Sequence, residues 1–383
     1  MKKDAKKEPK ADTEVQEKKK GKKVLKRVLF SILAVFLALI LIVGGYLLYV
    51  ILSYSRIEDN LALAVNHIES AAKAQTGQTY TIVTQNLGFG AYVADFTFFM
   101  DGGKESRARS KDSVIDCINQ GADKAKSYNP DFVLFQEVDT NSTRSFHVDQ
   151  QKLLVDQFTG YASAFAVNYH SAYLMWPLIN PHGASNSGIL TLSKLNITSS
   201  LRRSLPISTS FSKFLDLDRC YSVSRVPVEN GKELVIYNIH ASAYGGSDEI
   251  RTAQMTMLFE DMQKEYEAGN YCVCGGDFNH DFTGTSTQIL NGGGSVDFGW
   301  AQPFPAELLA NYPNISRALN YTSGEIKPTC RNCDVPYSEN CFVIIVDGFL
   351  VSDNVTVTYL ENVQAEFVYS DHNPVMMQFQ LKA

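Results

Sequence analysis

The 383-residue sequence predicts a mixed α/β domain with more than one β-sheet, preceded by a single membrane-spanning helix. Three observations lead there. From Thr79 onward, short strand-like runs alternate with helix-period segments, some joined by helices and some by short turns. Ahead of them, residues 28–52 are 25 consecutive positions without a charged side chain. A composition of 45% apolar and 11% aromatic residues supplies a sizeable core and excludes a disordered chain.

As a helix, the uncharged run would reach roughly 37 Å, enough for a hydrocarbon core of about 30 Å with some tilt. It ends in Leu52-Ser53-Tyr54-Ser55-Arg56, with no small-residue cleavage site, so an uncleaved anchor is expected rather than a signal peptide. Residues 1–27 hold 12 Lys/Arg against 5 Asp/Glu, a local +7, whereas the whole chain is -6. That cluster predicts a cytoplasmic, disordered basic tail over residues 1–27 and a single-pass cell-membrane protein whose remainder is extracytoplasmic. Ile57, Leu61, Ala64, Val65 and Ile68 recur at helical spacing, predicting a stalk helix within residues 53–78. The α/β domain is then expected to span residues 79–383.

Within that domain, strands are expected at residues 79–87, 131–138, 162–168, 188–193, 220–228, 233–240, 272–275, 342–352, 355–359 and 375–381. Helices are expected at 110–127, 148–158 and 248–267, the last with Ser247 as N-cap and Asp248 and Glu249 in its positive first turn. Residues 284–335 are rich in Gly, Pro, Asn and Ser and read as variable, substrate-facing loops.

Strand ends deliver the side chains that handle metals and protons. They are Asn86, Glu137, His240, the Asp277/Asn279 pair, Asp347, and Asp371-His372 before the terminal strand. Each alone has an ordinary structural reading, such as an Asx-type turn at Gly276-Asp277-Phe278-Asn279 or a satisfied core histidine at His240. Together, in that order and each at a strand end, they form a pattern that accident rarely produces.

In that pattern the chain resembles the endonuclease/exonuclease/phosphatase superfamily over residues 79–383, most specifically at Gly276-Asp277-Phe278-Asn279 and Ser370-Asp371-His372. The resemblance implies a DNase I-like four-layer α/β sandwich, two mixed sheets packed face to face with helices outside. It also implies Asn86, Glu137 and Asp371 at the metal and His240, Asp277, Asn279, Asp347 and His372 as catalytic residues. Asp277 would orient or deprotonate water, Asn279 would be its transition-state partner, and Asp347 would orient His372. Lys327-Pro328-Thr329 is similar to a Pro-Thr of the family, with Cys330 where an aromatic is common, and Gly348-Phe349 stands where members often have tyrosine.

The chemistry of the residues agrees. Phosphodiester hydrolysis needs charge neutralisation, an aligned water and stabilisation of developing negative charge. Oxygen ligands favour Mg²⁺, with Mn²⁺ as the alternative, over zinc. One or two ions would satisfy the pattern. The expected partners are a phosphate-ester substrate, whether lipid headgroup, sugar phosphate or nucleic acid, and the membrane through residues 28–52; no protein partner is evident. The acidic body weighs against a broad grip on nucleic acid, although a surface-tethered nuclease is the alternative within the same fold. A catalytically inactive binding module is disfavoured because Glu137, Asp277, Asn279 and His372 are all present. Arg219 and Arg331 are candidates for gripping phosphate or for salt bridges. Cys330, Cys333 and Cys341 cluster in one loop, where one disulfide and free thiols are both open.

Overall fold

The strands that follow the first helix alternate inward-facing and outward-facing residues along most of their length, and this alternation builds three apolar layers. In the computed structural model, which describes residues 10–69, 72–210, 213, 218–243, 247–292, 300, 302–338 and 340–383, the chain divides after Tyr54 into two units. The first is one helix, α1 (Lys10–Ser53), with an apolar window of mean hydropathy 2.9, long enough to cross a membrane. Residues 10–27, expected as a disordered tail, continue this helix. Lys and Glu are good helix formers, and extending an existing helix avoids the cost of a new nucleus. Residues 1–9 of the expected tail lie outside the described residues.

In chain order the strands of the second unit begin with β1 (Leu61–Ala62), β2 (Val65–Asn66), β3 (Thr79–Asn86), β4 (Phe132–Asp139), β5 (Ala162–His170) and β6 (Asn186–Ser193). Next come β7 (Ser199–Ser204), β8 (Cys220–Pro227), β9 (Glu233–His240), β10 (Tyr271–Asp277), β11 (His280–Asp281) and β12 (Gln302–Pro303). The last are β13 (Ile315–Arg317), β14 (Cys330–Arg331), β15 (Val343–Ile344), β16 (Asp347–Ser352), β17 (Val355–Asn362) and β18 (Val375–Leu381). Seven form one sheet in the order β1-β7-β8-β9-β10-β16-β13, and seven form another in the order β17-β18-β3-β4-β6-β5-β2. Among the described residues, only β9–β10 and β3–β4 pair in parallel within these two sheets. The remaining neighbours are antiparallel, so both sheets are mixed.

Ile82, Phe132, Leu134, Leu234, Ile236, Val273 and Phe349 fill the layer between the sheets. Their sequence neighbours point the other way. Val83, Val133 and Phe135 pack under α2 (Lys111–Lys126) and α3 (Gln150–Gln157), while Val235, Tyr237, Cys272 and Cys274 pack under α4 (Asp248–Glu267). The result is the expected sandwich, helix on sheet on sheet on helix. Ser247 caps α4 by accepting a hydrogen bond from the Ile250 amide, and Ser110 caps α2 through the Ser113 amide.

Three expectations need correction. Residues 53–78 hold no stalk helix among the described residues. Asn60 adopts a left-handed φ of 55°, which stops helix growth. Leu61 then pairs with Arg202 at the edge of one sheet and Val65 with Ala164 at the edge of the other, so the segment stitches the two sheets together. Residues 342–352 are two strands rather than one, because β15 pairs with β14 in a separate ribbon before β16 enters the main sheet. Finally β7 was not anticipated. Its Ser-Ser-Leu-Arg-Arg-Ser sequence has little apolar periodicity, and Arg202 is fully buried and donates to the carbonyls of Val167, Glu58 and Asp218. A buried arginine that spends its donors on backbone acceptors is invisible to hydrophobic periodicity.

Candidate active site

Inward-facing positions continue to the strand ends, where the side chains change from apolar to polar. On β10 the inner positions run Tyr271, Val273, Gly275, Asp277, and on β9 they run Leu234, Ile236, Asn238, His240. Register aligns Asp277 with His240 on one side and Asp347 on the other, so three candidate site residues lie in one row across β9, β10 and β16. From the facing sheet, the inner face of β3 ends in Asn86. A buried polar layer separates this row from the apolar core: Gln136 donates to Asn238 Oδ1 (2.8 Å) and Thr84 Oγ1 (3.1 Å), and Asn238 donates to the Phe135 and Leu190 carbonyls.

Glu137 reaches the site by a different route. Alternation would turn it away from the interior, but the pairing of β4 with β6 slips between Phe135 and Val138, and Glu137 takes a left-handed φ of 54°. This bulge re-aims the carboxylate so that Asn86 Nδ2 lies 3.4 Å from Glu137 Oε1 and 3.1 Å from Asp277 Oδ2. Strain at a non-glycine residue persists only where its surroundings hold it, and here it marks the site.

Gly276 shows why the strand before Asp277 ends in glycine. Its φ is 150°, and an added Cβ would stand 2.0 Å from the Ile239 carbonyl oxygen of the adjoining strand. Beyond it Asp277 does two things at once. Oδ1 accepts the Asn279 amide (2.9 Å), an Asx turn, while Oδ2 faces His240 Nε2 at 3.5 Å and His372 Nε2 at 3.8 Å. The turn and the site, which the sequence presents as competing readings, are both present. Asn279, with φ 51°, donates from Nδ2 to the Ala241 carbonyl.

The surroundings push the two histidines in opposite directions. His372 Nδ1 lies 2.8 Å from Asp347 Oδ2. Burial opposes protonation of His372, but Asp347, Cys330 and Asp277 outweigh it and hold its pKa well above the usual imidazole value. His240 is driven well below that value by burial, with the positive charges of Arg219, His372 and Arg144 adding to the effect. The Asn168 side-chain amide stands 3.4 Å from His240 Nδ1, and the other ring nitrogen, Nε2, faces Asp277 Oδ2. Burial raises the Asp277 pKa to about 6, opposed by His372 and reinforced by Asp347.

Asp371 follows Ser370, whose hydroxyl donates to the Asn86 carbonyl. Burial raises the Asp371 pKa to about 7; the His372 charge opposes this and the Glu137 carboxylate adds to it. Glu137 and Asp371 are therefore close enough to repel, and oxygen donors that repel one another suit a hard divalent cation. A second oxygen-rich group, Asp277, Asp347 and His372, has ligand atoms within 4.8 Å of one another and could also hold a metal. The direct Nδ1–Oδ2 bond already occupies Asp347 Oδ2.

All eight residues expected at the site converge on one end of the sandwich. Several neighbours gave no signal in the sequence, among them Asn168, Gln136, Thr84 and the buried pair Asp139–Arg144. Arg144 donates to both Asp139 oxygens (3.1 and 2.8 Å) and stacks 4.0 Å over the Phe89 ring. Thr329 Oγ1 accepts the Val346 and Asp347 amides, fixing the backbone behind Asp347. Arg331 is no phosphate ligand, since Nη2 donates to the Val93 and Phe96 carbonyls and the side chain is fully buried. All seven cysteines are buried free thiols, so the loop cluster carries no disulfide.

Comparison with known proteins agrees with this geometry. The chain is similar in structure to an endonuclease/exonuclease/phosphatase from Beutenbergia cavernae (TM-score 0.55, 16% identity, 80% of this chain and 72% of that one). It is similar also to ANGEL2, a 2',3'-cyclic phosphatase, in complex with adenosine-2',3'-vanadate (TM-score 0.53, 13% identity, 84% and 99%). The human Nocturnin catalytic domain with bound sulfate gives a TM-score of 0.50 at 17% identity, over 84% and 98% of the two chains. No curated protein matches by sequence. Residues 83–372 match the endonuclease/exonuclease/phosphatase family, whose members are phosphoester hydrolases that generally depend on a divalent metal. The chain belongs to the endonuclease/exonuclease/phosphatase family.

Proposed function

We propose that the protein is a membrane-tethered, extracytoplasmic hydrolase of phosphodiesters, dependent on Mg²⁺ or Mn²⁺. The observation that carries the catalytic part is the position of the Asp277 carboxylate between His240, whose protonation burial disfavours, and His372, whose protonation Asp347 favours, with Asn86 bridging toward Glu137. A divalent ion held by Glu137, with Asn86 and Asp371 beside it, would neutralise charge on the phosphate oxygens. Asp277 Oδ2 orients the attacking water and accepts its proton, a task suited to a carboxylate raised toward neutrality by burial. His372, held cationic by Asp347, stabilises negative charge on the phosphoryl oxygens, while His240 Nε2 and Asn279 flank the attacked group. Asn168 and Asp347 act as positioning residues, each fixing one imidazole.

The tether is supported by the length and hydropathy of α1, and the outward orientation by the Lys/Arg cluster on its amino side. A nucleotide-type substrate is the second reading. It is favoured by the likeness to a structure holding adenosine-2',3'-vanadate. The test is the full-length chain in lipid nanodiscs with Mg²⁺, assayed on a chromogenic bis-phosphodiester, a phosphodiester lipid, plasmid DNA and RNA. Hydrolysis abolished by EDTA supports the proposal, and the preferred substrate separates the two readings. Inactivity on the whole panel would sink it.

A further inference from the structure

The segment between β5 and β6 forms an apolar hairpin. Ser171 donates to the Ser185 carbonyl, Leu174 and Gly183 exchange amide hydrogen bonds, and the His182 amide closes onto the Trp176 carbonyl. Its outward side chains are large and apolar: Met175 is 50% exposed, Trp176 65%, Leu178 75% and Ile179 93%. No Asp, Glu, Lys or Arg occurs from Ser171 to Ser193. A patch of this kind on a soluble surface calls for an occupant.

Chain connectivity points to which occupant. α1 ends at Ser53, and Ser55, two residues on and thus within about 7 Å of chain, is hydrogen-bonded to His170 Nε2 at 3.2 Å. The same His170 ring holds Asp218 through Nδ1 at 2.7 Å, and Asp218 in turn pairs with Arg56. The residues that leave the apolar helix are therefore clamped to the last residue of β5, the strand that launches the hairpin. Two positions earlier on that strand, Asn168 contacts His240 of the catalytic row. The hairpin base is bonded to the rim on its other side, where Ser106 and the Asn180 carbonyl form a hydrogen bond and His182 Nδ1 meets the Ser106 carbonyl at 2.8 Å.

We propose that the 171–184 hairpin is a second membrane contact, inserting Trp176, Leu178 and Ile179 into the interfacial region of the bilayer that α1 spans. Trp and Tyr prefer that region, and an uncharged apolar tip suits its acyl boundary. Because β5 carries both the hairpin and Asn168, the contact seats the active-site end of the sandwich at the lipid surface. The inference rests on the membrane tether proposed above and not on the catalytic roles.

The protein contains two tryptophans, Trp176 and Trp300, and Trp300 serves as an internal control because its Nε1 bonds to Asn332 and its ring packs on Phe342. The full-length chain is reconstituted into phosphatidylcholine vesicles with ordinary or brominated acyl chains, floated on a density gradient, and its tryptophan emission compared. The expected result is that brominated lipid quenches at least about half of the emission, as insertion at the acyl boundary requires. Trp176→Phe removes the lipid-dependent quenching, and Leu178→Ser with Ile179→Ser reduces it while Trp176 is retained. Flotation without quenching would overturn the hairpin and leave the tether standing, as would a blue-shifted Trp176 indifferent to bromine, the signature of burial against a second copy. Failure to float would overturn both.

Discussion

Asp347 Oδ2 and His372 Nδ1 meet at 2.8 Å in the interior of the sandwich, one at the start of β16 and the other just before β18, with both side chains almost fully shielded from water. The pair fixes which nitrogen of His372 faces Asp277 and holds the ring positive. Asp347→Asn should lower kcat on a chromogenic phosphodiester by roughly 100-fold or more, with a smaller effect on KM. A cation lost as pH rises gives activity that falls through its pKa. The variant's alkaline limb should therefore move to lower pH, measured as a kcat profile against wild type.

The strained bulge at Glu137 offers a separation of function from stability. Glycine accepts the left-handed φ of 54° at no steric cost, and removing the carboxylate also relieves its repulsion of Asp371. Glu137→Gly should lose activity by at least about 100-fold while melting at an unchanged or higher temperature. Glu137→Gln should need about tenfold more Mg²⁺ for half-maximal rate. Calorimetry alongside a metal titration checks both.

Asp139 and Arg144 form a buried, doubly hydrogen-bonded pair, to which Ser145 adds a bond of 2.7 Å. Asp139→Asn leaves the Arg144 charge without its partner and should cost about 3 to 5 kcal/mol by denaturant unfolding. Asp139→Leu with Arg144→Met should be less destabilising than the single change, because no buried charge is left behind.

His182, packed against Phe98 and Phe99, has its pKa pushed down to about 4, by burial first and the Arg144 charge second. A depressed imidazole means that the unfolded chain binds the proton first as pH falls below about 6.5. Stability is fully present above that pH and is lost down to about pH 4, by on the order of 3 kcal/mol. In His182→Gln, unfolding followed from pH 7 to pH 4 should show a correspondingly flatter profile.

Much of the fold was legible because two-residue alternation and helix caps are local. Residues 233–240, 248–267 and 375–381 match their elements end to end, since apolar periodicity and flanking turn residues coincide there. The convergence of the eight candidate residues was legible by order and by motif, since strand ends deposit them at one face. What stayed hidden depended on distant partners. The bulge that turns Glu137 inward is a register slip against β6, and Leu61 and Val65 have helical spacing but sit on edge strands because each finds a different sheet. Arg202 and Arg331 look like surface charges until the carbonyls they satisfy are seen. The uncharged stretch after His170 carries no strand or helix signal, and only its exposure shows it to be an apolar surface.

Asp277→Asn keeps an oxygen for the Asn279 amide, and so preserves the Asx turn while removing the proton acceptor between the two histidines. In full-length protein reconstituted in nanodiscs with saturating Mg²⁺, this variant should retain the wild-type melting temperature and lose about 1,000-fold in kcat on a chromogenic bis-phosphodiester. A variant that keeps a tenth or more of wild-type kcat would contradict the assignment of Asp277 as the group that activates water.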